Sequence, residues 1–326
     1  MDISVKYMGL KLKNPIVVGS CGLTGNIDSL KRLEDNGAAA VVLKSLFEEQ
    51  LHMHAAHNYS KSDFGHTEAY DYISRHTKDT DLENYLQLIS DAKSSLDIPV
   101  IASINSTSKD NWVAYTKEVE KAGADALELN VSLLPSNANS TSKENEKIYF
   151  DIVEAVSKRT DLPLALKMSR FSAGLANLIR QLCWTKNVDS FTLFNRYYSP
   201  DIDINTLKMT SSNVYSSPDE ISSSLRWVAL LSDVLNNDIA ASTGIHNGEA
   251  VIKQLLAGAT VIQMVSALYK HGEGLISKSL NDLTDWMEQK NFDSIDSFRG
   301  KMSFKNADES DSLERIQFMK YFGGIE

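Results

Sequence analysis

Lys44 and Lys167 each close a run of aliphatic residues, Val41-Val42-Leu43-Lys44 and Leu164-Ala165-Leu166-Lys167. An ammonium carried on an apolar strand needs a partner, because burying an unpaired charge is costly. The partner is an anion or electron-rich ligand, or else a neighbouring carboxylate such as Glu128. Asn105 and Asn130 close two similar runs. Later in the chain, Ser242-Thr243-Gly244-Ile245-His246-Asn247-Gly248 leads into a helical stretch, and Val265-Ser266-Ala267 closes a further apolar run. Turns of this kind present backbone N–H groups to phosphate. Gly244 permits close approach, and Asn247 or Thr243 is placed to cap the turn. Phosphate on one side, lysines and amides on the other, and an apolar floor suit FMN. A lysine beside the N1 and O2 edge stabilises the negative charge of the reduced ring. Asn105 and Asn130 reach the ring edge, and the flavin supplies the redox chemistry.

These residues need a frame that gathers strand ends. Eight apolar runs do not alternate with polar residues, as expected of strands buried on both faces. They are Pro15–Cys21, Ala39–Ser45, Pro99–Asn105, Ala126–Ser132, Pro163–Ser169, Ser190–Arg196, Ile239–Gly244 and Val261–Ala267. Helix-length segments separate them: Asp28–Asn36, Leu82–Leu96, Ser108–Ala122, Asn145–Lys158, Ala173–Thr185, Asp219–Leu235 and Glu249–Ala257, with Gly274–Gln289 following the last strand. Gly37, Gly123 and Gly258 stop three of them. The alternation predicts an α/β chain folded as a single (β/α)8 TIM barrel, a fold of about 250 residues. An open doubly wound sheet is the alternative, but Gly19-Ser20-Cys21-Gly22-Leu23-Thr24-Gly25 lacks the spacing of a dinucleotide turn. Barrel sites lie at the C-terminal strand ends. There the sequence places Ser20, Cys21, Lys44, Ser45, Ser103, Asn105, Asn130, Ser132, Lys167, Ser169, Asn195, Arg196, Thr243, Gly244 and Ser266.

The 326 residues include 33 basic and 43 acidic side chains, a net charge of −10. That balance disfavours nucleic acid and anionic membrane surfaces as partners. No apolar run approaches the roughly 20 residues of a membrane helix. The opening Met1-Asp2-Ile3-Ser4-Val5-Lys6 has no signal-peptide character, so a cytoplasmic location is expected. Cys21 and Cys183 are expected to be reduced thiols. His52, His54, His57 and His66 crowd the segment after the second strand without the fixed spacing of a metal site, so no metal is expected. Residues 1–303 are assigned to the barrel. Residues 304–326, with a helix over Asp311–Tyr321, form a C-terminal extension.

The motifs Leu12-Lys13-Asn14-Pro15, Val42-Leu43-Lys44-Ser45, Glu128-Leu129-Asn130-Val131-Ser132, Ala165-Leu166-Lys167, Ser242-Thr243-Gly244-Ile245 and Ile295–Gly300 resemble those of the dihydroorotate dehydrogenase family, over residues 3 to 303. The resemblance implies an FMN-dependent barrel that oxidises dihydroorotate or a related small cyclic acid, acting as a homodimer. It places Ser20, Cys21, Lys44, Ser45, Asn105, Asn130 and Lys167 at the flavin. Thr243, Gly244, Val265 and Ser266 would hold the phosphate, and Asn130 and Asn195 the pyrimidine. The family's Cys or Ser base falls on Leu133, which takes no proton. Ser132, His66 and Tyr197 are the replacement candidates for acid–base chemistry, and Arg196 the candidate carboxylate clamp. Three functions stay open: a dihydroorotate-type dehydrogenase, an FMN enzyme for another CH–CH substrate, and a flavin protein that has lost the reaction.

Overall fold

The computed structural model describes residues 1–47, 67–106, 109–307 and 313. Eight parallel strands form its centre: β1 (Ile16–Val18), β2 (Ala40–Val42), β3 (Val100–Asn105), β4 (Ala126–Asn130), β5 (Leu164–Lys167), β6 (Ser190–Leu193), β7 (Asp238–Ser242) and β8 (Val261–Met264). Seven are buried along their whole length, and in β7 only Asp238 is partly exposed. Each strand pairs with its neighbour in sequence, and Ile16 against Ile262 closes the cylinder between β1 and β8. This is a (β/α)8 TIM barrel, as the alternation of apolar runs and helical segments predicts.

Around it lie α1 (Ile27–Asp35), α2 (Thr67–Ser95), α3 (Lys109–Lys121), α4 (Ser142–Ser157), α5 (Leu175–Trp184), α6 (Ile221–Leu231), α7 (Gly248–Ala257), a short α8 (Ser266–His271) and α9 (Leu275–Gln289). Their starts follow local chemistry. Asn26 and Asn247 cap α1 and α7 by accepting from Ser29 N and Ala250 N. Thr141 and Glu144 form a capping box on α4. Gly258 ends α7 at a φ of 112°.

Four features depart from the sequence reading. A hairpin of Val5–Tyr7 and Leu10–Leu12 packs across the lower end of the barrel, where Met8 N donates to Asp238 Oδ2 at 2.7 Å and Ser190 Oγ to Tyr7 Oη at 3.1 Å. Helix α2 begins at Thr67 rather than Leu82; its first half is polar and carries no 3.6-residue apolar stripe to announce it. A second hairpin, Pro200–Asp203 with Lys208–Ser211, projects between β6 and α6 with every residue but Asp203 exposed. Finally, α8 follows β8 directly. Beyond the barrel, Phe304 N donates to Ala229 O. The expected helix over Asp311–Tyr321 lies outside the described residues apart from Leu313. Among the described residues no helix is long and apolar enough to cross a membrane.

Candidate active site

The strands end at or just before their polar residues, which puts those side chains at the barrel mouth. Ser20, Ser45 and Ser103 form a line of hydroxyls across β1, β2 and β3, with Oγ–Oγ distances of 3.0 and 2.7 Å. Cys21 starts a tight turn in which Thr24 Oγ1 donates to its carbonyl, and burial pushes its thiol pKa up.

The two lysines part company. Lys167 is 7% exposed, at the end of β5, with Nζ 3.5 Å from Glu128 Oε1. The carboxylate partner on the adjacent strand is therefore real. Lys44 is exposed, contrary to its reading as a buried ammonium. Strand β2 ends at Val42, and the chain turns so that Lys44 N donates to Thr24 O while the side chain lies over Gly25. Glu128 Oε2 accepts from Gln263 Nε2 at 2.7 Å and Thr192 Oγ1 at 3.1 Å. Asn130 stands opposite Lys167 in register, and its Oδ1 is buried without a hydrogen bond. Asn105 is buried at the end of β3.

On the far side of the mouth, Thr243 and Gly244 both have positive φ, 77° and 78°. A Cβ on Gly244 would lie 2.1 Å from Ile221 N, so only glycine lets α6 start so close. Ser266 follows Val265 and starts α8. Ser216 ties its own loop to α8 and to the turn that holds His246. Its N–H donates to Ser266 Oγ, its Oγ bonds His246 Nε2, and its carbonyl accepts from Lys270 Nζ at 2.7 Å. Burial, with the Lys270 and His271 charges, lowers the His246 pKa. The unfolded chain therefore binds a proton that the folded chain resists. Stability should fall as pH drops below the ordinary imidazole value of about 6.5, levelling off below the folded value. Urea midpoints measured against pH check this; His246→Gln should flatten the curve, and a mutant curve parallel to wild type would refute the assignment.

Arg196 is engaged within the protein. Its Nε donates to Glu220 Oε2 at 2.9 Å, Nη1 to Val214 O, and Nη2 to Asn213 O and Glu220 Oε1. The guanidinium expected to clamp a substrate carboxylate instead fastens the 213–217 segment to the end of β6. Asn195 Nδ2 donates to Ser132 Oγ at 3.1 Å, which unites two of the expected site residues.

A cleft of about 220 Å³ lies at the mouth. It gathers Ser20, Lys167, Asn195, Arg196, Thr243, Gly244, Val265 and Ser266 from the sequence reading and adds Gln263, a polar residue inside an apolar strand that the spacing did not single out. Cys21, Lys44, Ser45, Asn105, Asn130 and Ser132 lie outside its lining. An adjoining cleft of about 260 Å³ shares Asn195 and Thr243 and includes Tyr197, whose buried hydroxyl has no hydrogen bond and whose ring sits edge-on to Phe171 at 5.1 Å. Leu133 faces neither. It lines a third cavity with Pro135 and Tyr149. His66, like His52, His54 and His57, lies outside the described residues. The first cleft thus offers the Lys167 ammonium, the buried, unbonded amide oxygen of Gln263 and a pair of positive-φ turn residues, a set that suits a planar ligand with an anionic tail.

Comparison with known proteins agrees with this geometry. The catalytic subunit of dihydroorotate dehydrogenase B (NAD(+)) from Thermoplasma volcanium is 27% identical over 92% of this chain and 98% of its own length. That of Thermoplasma acidophilum is 25% identical with the same coverage. The chloroplastic dihydropyrimidine dehydrogenase (NADP(+)) of Arabidopsis thaliana is 25% identical over 92% of this chain and 76% of its own. The family model described as dihydroorotate dehydrogenase matches residues 2–287, and by that match, on a closed barrel with its polar residues at the expected mouth, the chain belongs to the dihydroorotate dehydrogenase family of oxidoreductases.

Proposed function

We propose that the mouth cleft holds FMN and that the enzyme oxidises a CH–CH bond of dihydroorotate or a related small cyclic acid by hydride transfer to it. The observation that carries this reading is the pairing, in one cleft, of Lys167 with the Thr243–Gly244 and Val265–Ser266 turns. The fit is supported by Asn130 Oδ1 and Gln263 Oε1, two buried acceptors with no protein donor, since buried polar atoms are normally bonded. Lys167 would stand at the ring's carbonyl edge with Ser20 nearby. Backbone N–H groups of Thr243, Gly244, Val265 and Ser266 would hold the phosphate. When bound, FMN supplies the hydride acceptor. Lys44, exposed beside the same mouth, reaches the ring edge from the β2 side, with Cys21, Ser45 and Asn105 around it. Asn130, Asn195 and Arg196 bound the substrate space. A homodimer in the cytoplasm is the setting this reading carries.

The proton is the open half of the reaction. Leu133 at the family's base position faces another cavity. Ser132 is the neighbouring hydroxyl, and Asn195 orients it by donating to Oγ. Tyr197 supplies a free hydroxyl in the adjoining cleft, and His66 is the third candidate. The Leu133 position favours a second reading, an FMN enzyme whose CH–CH substrate differs from dihydroorotate. Anaerobic addition of dihydroorotate to the yellow protein separates the two. Bleaching of the oxidised-flavin band supports the first, and yellow protein inert to dihydroorotate supports the second. Ser132→Ala should lower dihydroorotate turnover by about 10²-fold or more if Ser132 is the base; turnover equal to wild type clears it of that role and leaves Tyr197→Phe as the next measurement.

A further inference from the structure

The cleft floor is held from beneath by a carboxylate inside the barrel. Glu128 is fully buried, its side chain 1% exposed. Its Oε2 takes the hydrogen bonds of Gln263 and Thr192. Its Oε1 accepts none, yet lies 3.5 Å from Lys167 Nζ. Two neighbours are fixed by this one anion. Lys167 is held by charge rather than by a hydrogen bond, which leaves its N–H groups available to the cleft. Gln263 is turned by its bond to Glu128, so that the amide oxygen is the atom left over. Both residues line the cleft. A Cβ on Gly19 would stand 3.2 Å from Gln263 Oε1, so the glycine leaves that buried oxygen uncrowded on its side.

We propose that Glu128 is a positioning residue that fixes an ammonium donor at Lys167 and an amide acceptor at Gln263 side by side, a pattern complementary to the adjacent carbonyl and N–H of a flavin's pyrimidine edge. This rests on the FMN reading above. The charge of Glu128 has a second effect. With it, the Glu128–Lys167 pair is neutral. Without it, the ammonium is uncompensated and favours an anionic ring over a neutral one. Glu128 therefore sets the balance between reduced and oxidised flavin affinity, and Gln263 contributes to both equally.

The test uses the full chain, stripped of flavin and titrated with oxidised and reduced FMN, together with potentiometry of the reconstituted protein. Glu128→Gln keeps the shape and an acceptor for Gln263. It should raise the affinity ratio, reduced over oxidised, about tenfold, which for a two-electron couple is about 30 mV more positive. Gln263→Leu should weaken both forms alike, by about tenfold, with the potential unmoved. A Glu128→Gln potential equal to or more negative than wild type overturns the proposal, as does unchanged affinity in Gln263→Leu. Should Glu128→Gln not fold, the Gln263→Leu titration decides. A wild-type chain that takes up no FMN refutes the cofactor reading itself, a result distinct from any outcome in the variants.

Discussion

Lys167→Ala should lower folding stability by about 3–5 kcal/mol and abolish flavin retention. Removing one member of a buried ion pair leaves the other charged and unpaired, and that penalty is of this order. Here the survivor is Glu128, whose side chain is 1% exposed. Gln263 and Thr192 would still bond its Oε2, but no cation would face Oε1. Lys44→Ala is the control. Lys44 is exposed, so its loss should change stability by no more than about 0.5 kcal/mol while still weakening flavin retention. Urea denaturation with a constant slope measures the first effect and the visible flavin absorbance the second. Equal midpoints for Lys167→Ala and wild type would show that Glu128 is compensated from elsewhere, and full flavin occupancy in both mutants would remove both lysines from the site.

The second large effect is expected at Gly244. Alanine there must adopt a φ of 78° with its Cβ 2.1 Å from Ile221 N and 2.6 Å from Ile221 Cα. Backbone cannot swing aside as a side-chain tip does, so the start of α6 must move. We expect Gly244→Ala to cost roughly 3 kcal/mol or more and to lose flavin binding with it. Gly9 separates the two causes. Its φ is 79°, yet nothing lies within 4 Å of its Cβ position. Gly9→Ala should therefore carry only the left-handed penalty, about 1 kcal/mol. Equal destabilisation of the two variants would dismiss the clash with α6.

Much of the barrel was legible because buried parallel strands read as unbroken aliphatic runs. Val100–Asn105 and Ala126–Asn130 fall inside their expected bounds. The mouth was legible because polar residues at the ends of such runs have few places to go. Lys167 and Glu128 could be matched from sequence, since they lie on adjacent strands two residues out of register, a spacing that puts both on the same face. Lys44 could not be placed, because β2 stops two residues before it and the turn that follows carries no sequence mark. The bonds that engage Arg196 within the protein were hidden for a different reason. Its partners, Glu220 and the carbonyls of Asn213 and Val214, lie 17–24 residues away across a hairpin whose strands show no apolar alternation. Gln263 was visible as a polar residue inside Val261–Met264, but only the fold shows that it points at Glu128. Helix α2 began earlier than expected because its first turns are too polar to show a stripe.

The amino-terminal hairpin has a bearing on traffic through the molecule. With Tyr7 and Met8 wedged under the strands and latched to Ser190 and Asp238, the cylinder is stoppered at its foot. On the reading proposed above, reactant and product would share the cleft of about 220 Å³ at the opposite rim and occupy it in turn.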